Sequence, residues 1–289
     1  MSPPLLPRVV SLLPGATEML VAMGARDQLV GISHECDWPP DITTLPRVTT
    51  TPIDPQLRSG AIHAAVQDAV ATGRSVIGVD AETLRALAPD IVVTQVLCDV
   101  CAVADGEAMR LAQAMANPPH VVALSGRTLA GVWEDIRRLG VAIGRRAEAG
   151  AVADALTEMV RVEVTRNTRG PAPRVVAIEW LDPLFLAGHW VPEMIAAAGG
   201  VDVGASAGSH SAIRESSEVI ALDPDVVVVM LCGFGVERAR AELALLDGTV
   251  AGAWLASRRT VMIDGNAFTS RPGPRLVEGI RQLAAAFRA

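Results

Sequence analysis

The sequence predicts an α/β protein of two Rossmann-like lobes with mostly parallel sheets, joined by a long bridging helix. Short apolar runs alternate with helical segments, which is typical of parallel sheets. A strand preceded by Ala-Leu-x-Pro-Asp occurs twice, at residues 86–93 and 221–228. An Arg-Val-Val run opens each half of the chain, at Arg8 and at Arg174. These repeats indicate two related lobes.

The first lobe, residues 1–126, is predicted to alternate strands and helices. Pro14 begins a helix that Gly24 ends, and Asp54 is expected to cap a second helix that runs to about residue 71. Asp80 is expected to cap a third. The expected strands of this lobe are residues 9–13, 29–32, 76–79, 91–95 and 121–124.

The bridge and the second lobe follow. Residues 127–169 have a long helical pattern, which Gly144 is expected to break in two. Residues 170–289 form the second lobe, with loops expected at 181–190, 203–217 and 265–274 and strands at 175–180, 226–231 and 260–264. Ligands of open α/β sheets bind beyond the carboxyl ends of the strands, so we expect a ligand cleft between the lobes.

Composition excludes several classes of function. The net charge is −7 and no basic run occurs, which argues against a nucleic-acid partner. The chain has no lysine, so Schiff-base lysine chemistry and a P-loop lysine are excluded. No stretch reaches the roughly 18–20 apolar residues that span a bilayer, and no membrane insertion is expected. Residues 1–8 lack the basic start of a signal peptide, which predicts a cytoplasmic protein, or a periplasmic or extracellular one if an export signal is missing from the sequence.

Reactive and aromatic side chains concentrate in the loops that follow predicted strands. The aromatic ones would supply apolar walls for a large flat ligand. Backbone N–H groups at the start of the first helix would receive a carboxamide or a phosphate. By contrast, His63 is expected to be an ordinary residue, either on the surface or with its hydrogen bonds satisfied. The candidate ligand-binding residues are Pro14, Gly15, Ala16, Thr17, His34, Glu35, Trp38, Trp180, Phe185, His189, Trp190, Phe234, Phe268 and Arg271.

All four cysteines are also predicted to lie in such loops. Free cysteine is usually a small buried residue, so four of them in polar loops indicate a thiolate site for a soft metal. Such a site, an alternative to the binding of a large flat ligand, would hold an iron–sulfur cluster or zinc. The candidate metal ligands are Cys36, Cys98, Cys101 and Cys232.

Four segments together resemble a known family. The chain is similar to the class III, helical-backbone substrate-binding proteins for cobalamin, iron-siderophores and haem. A Ser-His-Glu-Cys-Asp loop at residues 33–37 places it nearest the cobalamin-binding branch. The segments that carry the resemblance are residues 9–18, 30–33, 87–90 and 271–273.

The resemblance implies a corrinoid-binding protein without catalytic turnover, which holds cobalamin between its lobes with little hinge motion. Trp38 on one lobe and the aromatic residues of the other would cover the corrin. His34 or His189 would ligate cobalt, with a thiolate of Cys36 or Cys98 as the alternative ligand. Docking to an ABC permease would use Glu82 and Glu218, although the family's second docking position falls one residue before Glu218 in this chain. A cysteine-ligated metal or iron–sulfur protein, and an iron-siderophore or haem importer component, remain open alternatives.

Overall fold

The computed structural model describes residues 6–97, 106, 109–167 and 170–288. The chain divides into two compact units. Unit 1 contains residues 1–55, 65–126 and 130–155, and unit 2 contains residues 56–64, 127–129 and 156–289. Residues 56–64 therefore pack with unit 2, although the chain on either side of them belongs to unit 1.

Unit 1 is built around a four-stranded sheet in the order β2-β1-β5-β6, in which every pairing is parallel. A separate antiparallel pair joins β3 to β4. The predicted parallel sheet is confirmed. The strands are β1 (Val9–Ser11), β2 (Leu29–Gly31), β3 (Thr49–Thr50), β4 (Gly78–Val79), β5 (Ile91–Gln95) and β6 (His120–Leu124).

The predicted helices of the first lobe and the bridge occur in the predicted order, with one shifted start. Those with bounds inside the described ranges are α1 (Pro14–Ala22), α2 (Ser59–Ala71), α3 (Ala81–Leu87), α4 (Leu129–Ala142) and α5 (Arg146–Asn167), and residues 109–113 are helical as well. Asp80 caps α3 as predicted, because its carboxylate accepts hydrogen bonds from two backbone N–H groups of the first turn. Gly144, with φ of +77°, separates α4 from α5 as predicted.

The predicted start of α2 at Asp54 was wrong. Tertiary contacts hold the preceding residues out of the helix. The backbone N–H of Ser59 donates to a carboxylate oxygen of Glu242 (3.0 Å), and Arg238 donates to the carbonyl oxygen of Leu57 (2.9 Å). No local pattern shows such long-range partners.

Unit 2 contains a mixed sheet in the order β10-β8-β7-β11-β12, with β9 also paired to β7. β7, β9, β11 and β12 pair in parallel, whereas β8 and β10 are antiparallel additions at one edge. The strands are β7 (Arg174–Trp180), β8 (Phe185–Leu186), β9 (Val201–Asp202), β10 (Ala212–Ile213), β11 (Val226–Val229) and β12 (Arg259–Met262). The remaining helices are α6 (Val191–Ala197), α7 (Ser216–Ala221), α8 (Val236–Ala244), α9 (Val250–Ser257), α10 (Gly265–Phe268) and α11 (Leu276–Arg288).

Three predicted loops of the second lobe contain regular structure. The segment 181–190 contains β8, the segment 203–217 contains β10, and the segment 265–274 begins with α10. Two-residue strands and a one-turn helix are too short to show a period of 2 or 3.6, so the sequence pattern could not separate them from loops.

The repeated sequence forms the same set of contacts twice. In unit 1 the backbone N–H of Arg8 donates to the Asp90 carboxylate (2.7 Å), and the Arg8 side chain donates to the carbonyl oxygen of Leu87 (2.8 Å). The helix before the strand ends at Ala88, whose φ of 41° is left-handed. These contacts tie the start of β1 to the start of β5.

The second copy reproduces this arrangement in unit 2. The backbone N–H of Arg174 donates to the Asp225 carboxylate (2.7 Å), and its side chain donates to the carbonyl oxygen of Leu222 (2.7 Å). Asp223 has a φ of 43°, matching the left-handed residue of the first copy. The internal repeat therefore has a structural counterpart in each unit. The arginine at the start of one strand is hydrogen-bonded to the aspartate that immediately precedes the neighbouring strand and to the end of the helix before that aspartate.

Within the described residues, no helix is both long and apolar enough to span a membrane.

Candidate functional site

The loop after β2, residues 33–38, is held in one shape from within unit 1. One guanidinium nitrogen of Arg47, Nη1, donates to the carbonyl oxygens of Ser33 (2.8 Å), His34 (3.2 Å) and Cys36 (2.6 Å). Arg47 is itself half-buried. The loop therefore presents its side chains from a fixed backbone.

Two side chains of this loop differ in exposure. Trp38 is 46% exposed, whereas His34 is half-buried. The His34 Nδ1 lies 2.6 Å from the Thr49 hydroxyl, which also accepts the His34 backbone N–H. Burial lowers the pKa of His34; the neighbouring Glu35 charge opposes this shift and the Arg47 charge adds to it. A neutral imidazole is the form that accepts a hydrogen bond or binds a metal.

The start of α1 lies inside unit 1. The candidate residues Pro14, Gly15, Ala16 and Thr17 are all buried. The Thr17 hydroxyl donates to Ser11 Oγ (2.9 Å), and the Cys36 Sγ lies 3.1 Å from the same Thr17 oxygen. This contact joins α1 to the loop after β2. Ligand binding by the backbone N–H groups at the start of α1 remains a prediction.

The predicted cysteine site gains no support from the described residues. Cys36 is 1% exposed in unit 1, and Cys232 is an exposed thiol of unit 2. Cys98 and Cys101 lie outside the described residues. Within the described ranges, no group of three or more His, Cys, Asp and Glu side chains is arranged to hold a metal ion.

Unit 2 has an aromatic cluster, formed by Trp180, Phe185 and Phe234, near the carboxyl end of β7. The rings of Trp180 and Phe234 are 5.3 Å apart between centroids. Phe234 is only 3% exposed and carries the Arg238 guanidinium 3.6 Å above its ring. Trp180 and Phe185 are half-buried and pair across β7 and β8, so they form the accessible part of the cluster.

His189 lies apart from the aromatic cluster. β8 runs antiparallel to β7, so the residues after Phe185 lead back toward the amino end of β7. The His189 backbone has a φ of 54° and its N–H donates to the carbonyl oxygen of Ser209 (2.6 Å). Burial lowers the pKa of His189, and the nearby charges of His210 and Arg127 lower it further. Its Nε2 is buried with no hydrogen-bond partner among the described residues.

Trp190 and Arg271 are held within the interior of unit 2. Trp190 is 3% exposed and its indole N–H donates to the carbonyl oxygen of Thr269 (2.8 Å). Arg271 is also buried and donates to the Asn266 side chain (2.7 Å). Phe268, which is half-buried, lies in the helical turn between these two contacts. These residues fix the chain after β12.

The two predicted docking glutamates lie near the start of equivalent helices in the repeat, with Glu218 one residue beyond the position that matches Glu82. Glu82 and Glu218 are exposed and lie in the first turns of α3 and α7. Glu218 also accepts the backbone N–H of Glu215 (3.0 Å) as part of a capping box. A carboxylate is favourable at this end of a helix, so each has a structural reason to be acidic.

Sequence reasoning missed the segment 56–64, which packs on the aromatic cluster of unit 2. His63, expected to be an ordinary surface or satisfied residue, has its ring centroid 5.8 Å from that of Phe185. The partners of this segment are Arg238 and Glu242, which are four residues apart on α8. Residues four apart in a helix lie on one face, so the sequence predicts that Arg238 and Glu242 are neighbours. It does not predict which segment of the chain binds to that face.

Comparison with known proteins identifies the family. A family model described as periplasmic binding protein matches residues 9–245. A relative named cobalamin-binding protein, from Halobacterium salinarum, is 26% identical over 286 residues, covering 97% of this chain and 69% of the relative.

Solved structures share the fold along nearly the whole chain. The periplasmic vitamin B12 binding protein BtuF of Vibrio cholerae has a TM-score of 0.68 at 20% identity, covering 98% of this chain and 97% of the other. The periplasmic haem-binding protein HutB of Vibrio cholerae has a TM-score of 0.71 at 19% identity, covering 98% and 99%. The chain belongs to the periplasmic binding protein family, whose members are substrate-binding components of ABC transporters rather than enzymes.

Proposed function

We propose that this chain binds a corrinoid, with cobalamin as the foremost candidate, and delivers it to an ABC permease without chemical turnover. The relative aligned with 97% of the chain is named a cobalamin-binding protein. The Ser33–Asp37 loop and the aromatic residues suit a large flat ligand with an apolar face and a polar rim.

The observation that carries the proposal is the exposed Trp38 on a rigid loop. A tryptophan that is 46% exposed leaves of order 100 Å² of apolar surface in water, on a backbone that Arg47 holds in place. Covering that area stabilises a complex by about 2–3 kcal/mol. A fixed, exposed aromatic ring is a binding surface with a small ordering cost.

Each unit contributes its own residues to the proposed binding. Trp38 acts from unit 1, and Trp180 and Phe185 act from unit 2 as further apolar surface. The lowered pKa of His34 leaves its imidazole neutral near pH 7, ready to accept a hydrogen bond from a carboxamide or to ligate cobalt. Glu82 and Glu218 are exposed charges for contact with a permease.

Titration of variants with aquocobalamin tests the proposal. Trp38→Ala should weaken binding about 30- to 150-fold, the loss of about 2–3 kcal/mol. Val141→Ala, which alters an exposed apolar residue of α4 outside the loop, is the matched control and should bind like the unaltered chain. Equal affinities for the two variants would remove Trp38 from the site.

A further inference from the structure

The segment 56–64, called the strap below, is anchored to unit 2 at two points by one face of α8. Arg238 donates to the carbonyl oxygen of Leu57 (2.9 Å), and the Glu242 carboxylate accepts the backbone N–H of Ser59 (3.0 Å). Glu242 is only 8% exposed, and a buried carboxylate needs such a partner. The strap is therefore part of the packed structure of unit 2.

The strap also fits closely at Gly60. A Cβ atom at this position would overlap the carboxylate of Asp182, so the strap backbone lies directly against this side chain. Asp182 lies two residues after Trp180 in the turn between β7 and β8, and its carbonyl oxygen accepts the Trp180 indole N–H (3.1 Å). The position of the strap is thus set against the turn that positions Trp180.

The strap contacts Phe185 of the aromatic cluster and is linked to Trp180 through other side chains. His63 lies 5.8 Å from Phe185 between ring centroids, and both residues are half-buried. On the other side, the guanidinium of Arg238 contacts the strap and also covers the Phe234 ring, against which Trp180 packs. One anchored segment therefore contacts Phe185 directly, and Arg238 connects it to the Phe234 ring on which Trp180 packs.

We infer that the strap forms an additional wall of the ligand-binding surface of unit 2, with His63 as a ligand-contacting residue. Arg238 and Glu242 are positioning residues, because their hydrogen bonds hold the strap in place. This inference rests on the proposed corrinoid function. A half-exposed imidazole beside Phe185 extends the apolar surface and adds a polar group for a carboxamide at the rim of the corrin.

The test measures aquocobalamin affinity by calorimetry for the unaltered chain, His63→Ala, Glu242→Gln and the double variant. His63→Ala should weaken binding about tenfold, and Glu242→Gln about three- to tenfold. Because Glu242 acts by positioning His63, the two effects should not multiply, and the double variant should bind about as weakly as His63→Ala alone. Glu237→Gln, an exposed acid on the same helix, is the matched control and should leave affinity unchanged.

Circular dichroism confirms that each variant is folded, and His63→Gln provides a second variant that keeps a polar side chain. Affinities of both His63 variants within twofold of the unaltered chain would overturn the inference while leaving the proposed function intact. Multiplying effects in the double variant would overturn the positioning role of Glu242. Absence of binding by the unaltered chain would overturn the proposed function, and this inference with it.

Discussion

Replacing Arg47 with methionine removes the guanidinium that holds the loop after β2. Three carbonyl oxygens share Nη1, at 2.6, 2.8 and 3.2 Å, and this nitrogen has two hydrogens, so the contacts amount to two full hydrogen bonds. A hydrogen bond with a charged partner contributes about 1.5–3 kcal/mol. At this half-buried site, water can hydrogen-bond to some of the carbonyl oxygens once the guanidinium is gone. We therefore expect Arg47→Met to lower the free energy of unfolding by about 2 kcal/mol.

Urea unfolding followed by circular dichroism measures this change. The matched control is Arg26→Met, which breaks an exposed ion pair with Asp41 and should cost less than about 0.5 kcal/mol. If Arg47→Met unfolds within 0.5 kcal/mol of the control, the loop is not held by this guanidinium and the reasoning fails.

The same variant has a signature at His34. Burial is the main cause of the lowered His34 pKa, and the Arg47 charge is a smaller one, so the pKa should rise toward 6.5 in Arg47→Met. NMR titration of the imidazole measures it. In the unaltered chain, the preference for neutral His34 stabilises the fold above pH 6.5, and this stability is lost as the pH falls through the lowered pKa.

Three further predictions concern other parts of the fold. Burial raises the pKa of Asp202 to about 6, so the folded state takes up a proton between pH 6 and 3.8 and gains stability as the pH falls through that window. Asp202→Asn should therefore be about 2 kcal/mol more stable than the unaltered chain at pH 8 and no more stable at pH 4, as followed by thermal unfolding. Gly265→Ala should lower the free energy of unfolding in urea by about 3 kcal/mol, because its Cβ would collide with the backbone oxygen of Leu231. Gly150→Ala is the control, since the nearest atom to its Cβ would be 3.7 Å away within a helix, and it should raise the free energy of unfolding by about 0.5–1 kcal/mol. Asp90→Ala and Asp225→Ala should each cost about 1 kcal/mol, and unequal costs in calorimetry would show that the two copies of the repeat are not energetically equivalent.

The sequence predicted the parallel sheets because their central strands are continuous apolar runs. β5 was predicted with its observed bounds, and β11 follows the repeated Pro-Asp turn in the same way. The repeat itself also predicted the second Arg-Val-Val strand, whose contacts match those of the first. Local rules of capping and periodicity suffice for such elements.

The strap and the arrangement of the histidines could not be predicted from local patterns. Contacts of the strap join residues about 180 positions apart, which no window of sequence contains. His189 was grouped with Trp180 because both follow a predicted strand, but the two-residue strand β8 reverses the chain and separates them. The contact of His63 with Phe185 could not be predicted, because the two residues are distant in sequence.

Titration of the unaltered chain with aquocobalamin, with haemin as a competitor, tests the central claim most directly. The account predicts stoichiometric binding with a dissociation constant in the micromolar range or tighter, about 8 kcal/mol or more, and no displacement by equimolar haemin. Binding of haemin without binding of aquocobalamin would contradict it and assign the aromatic surfaces to a different metal chelate.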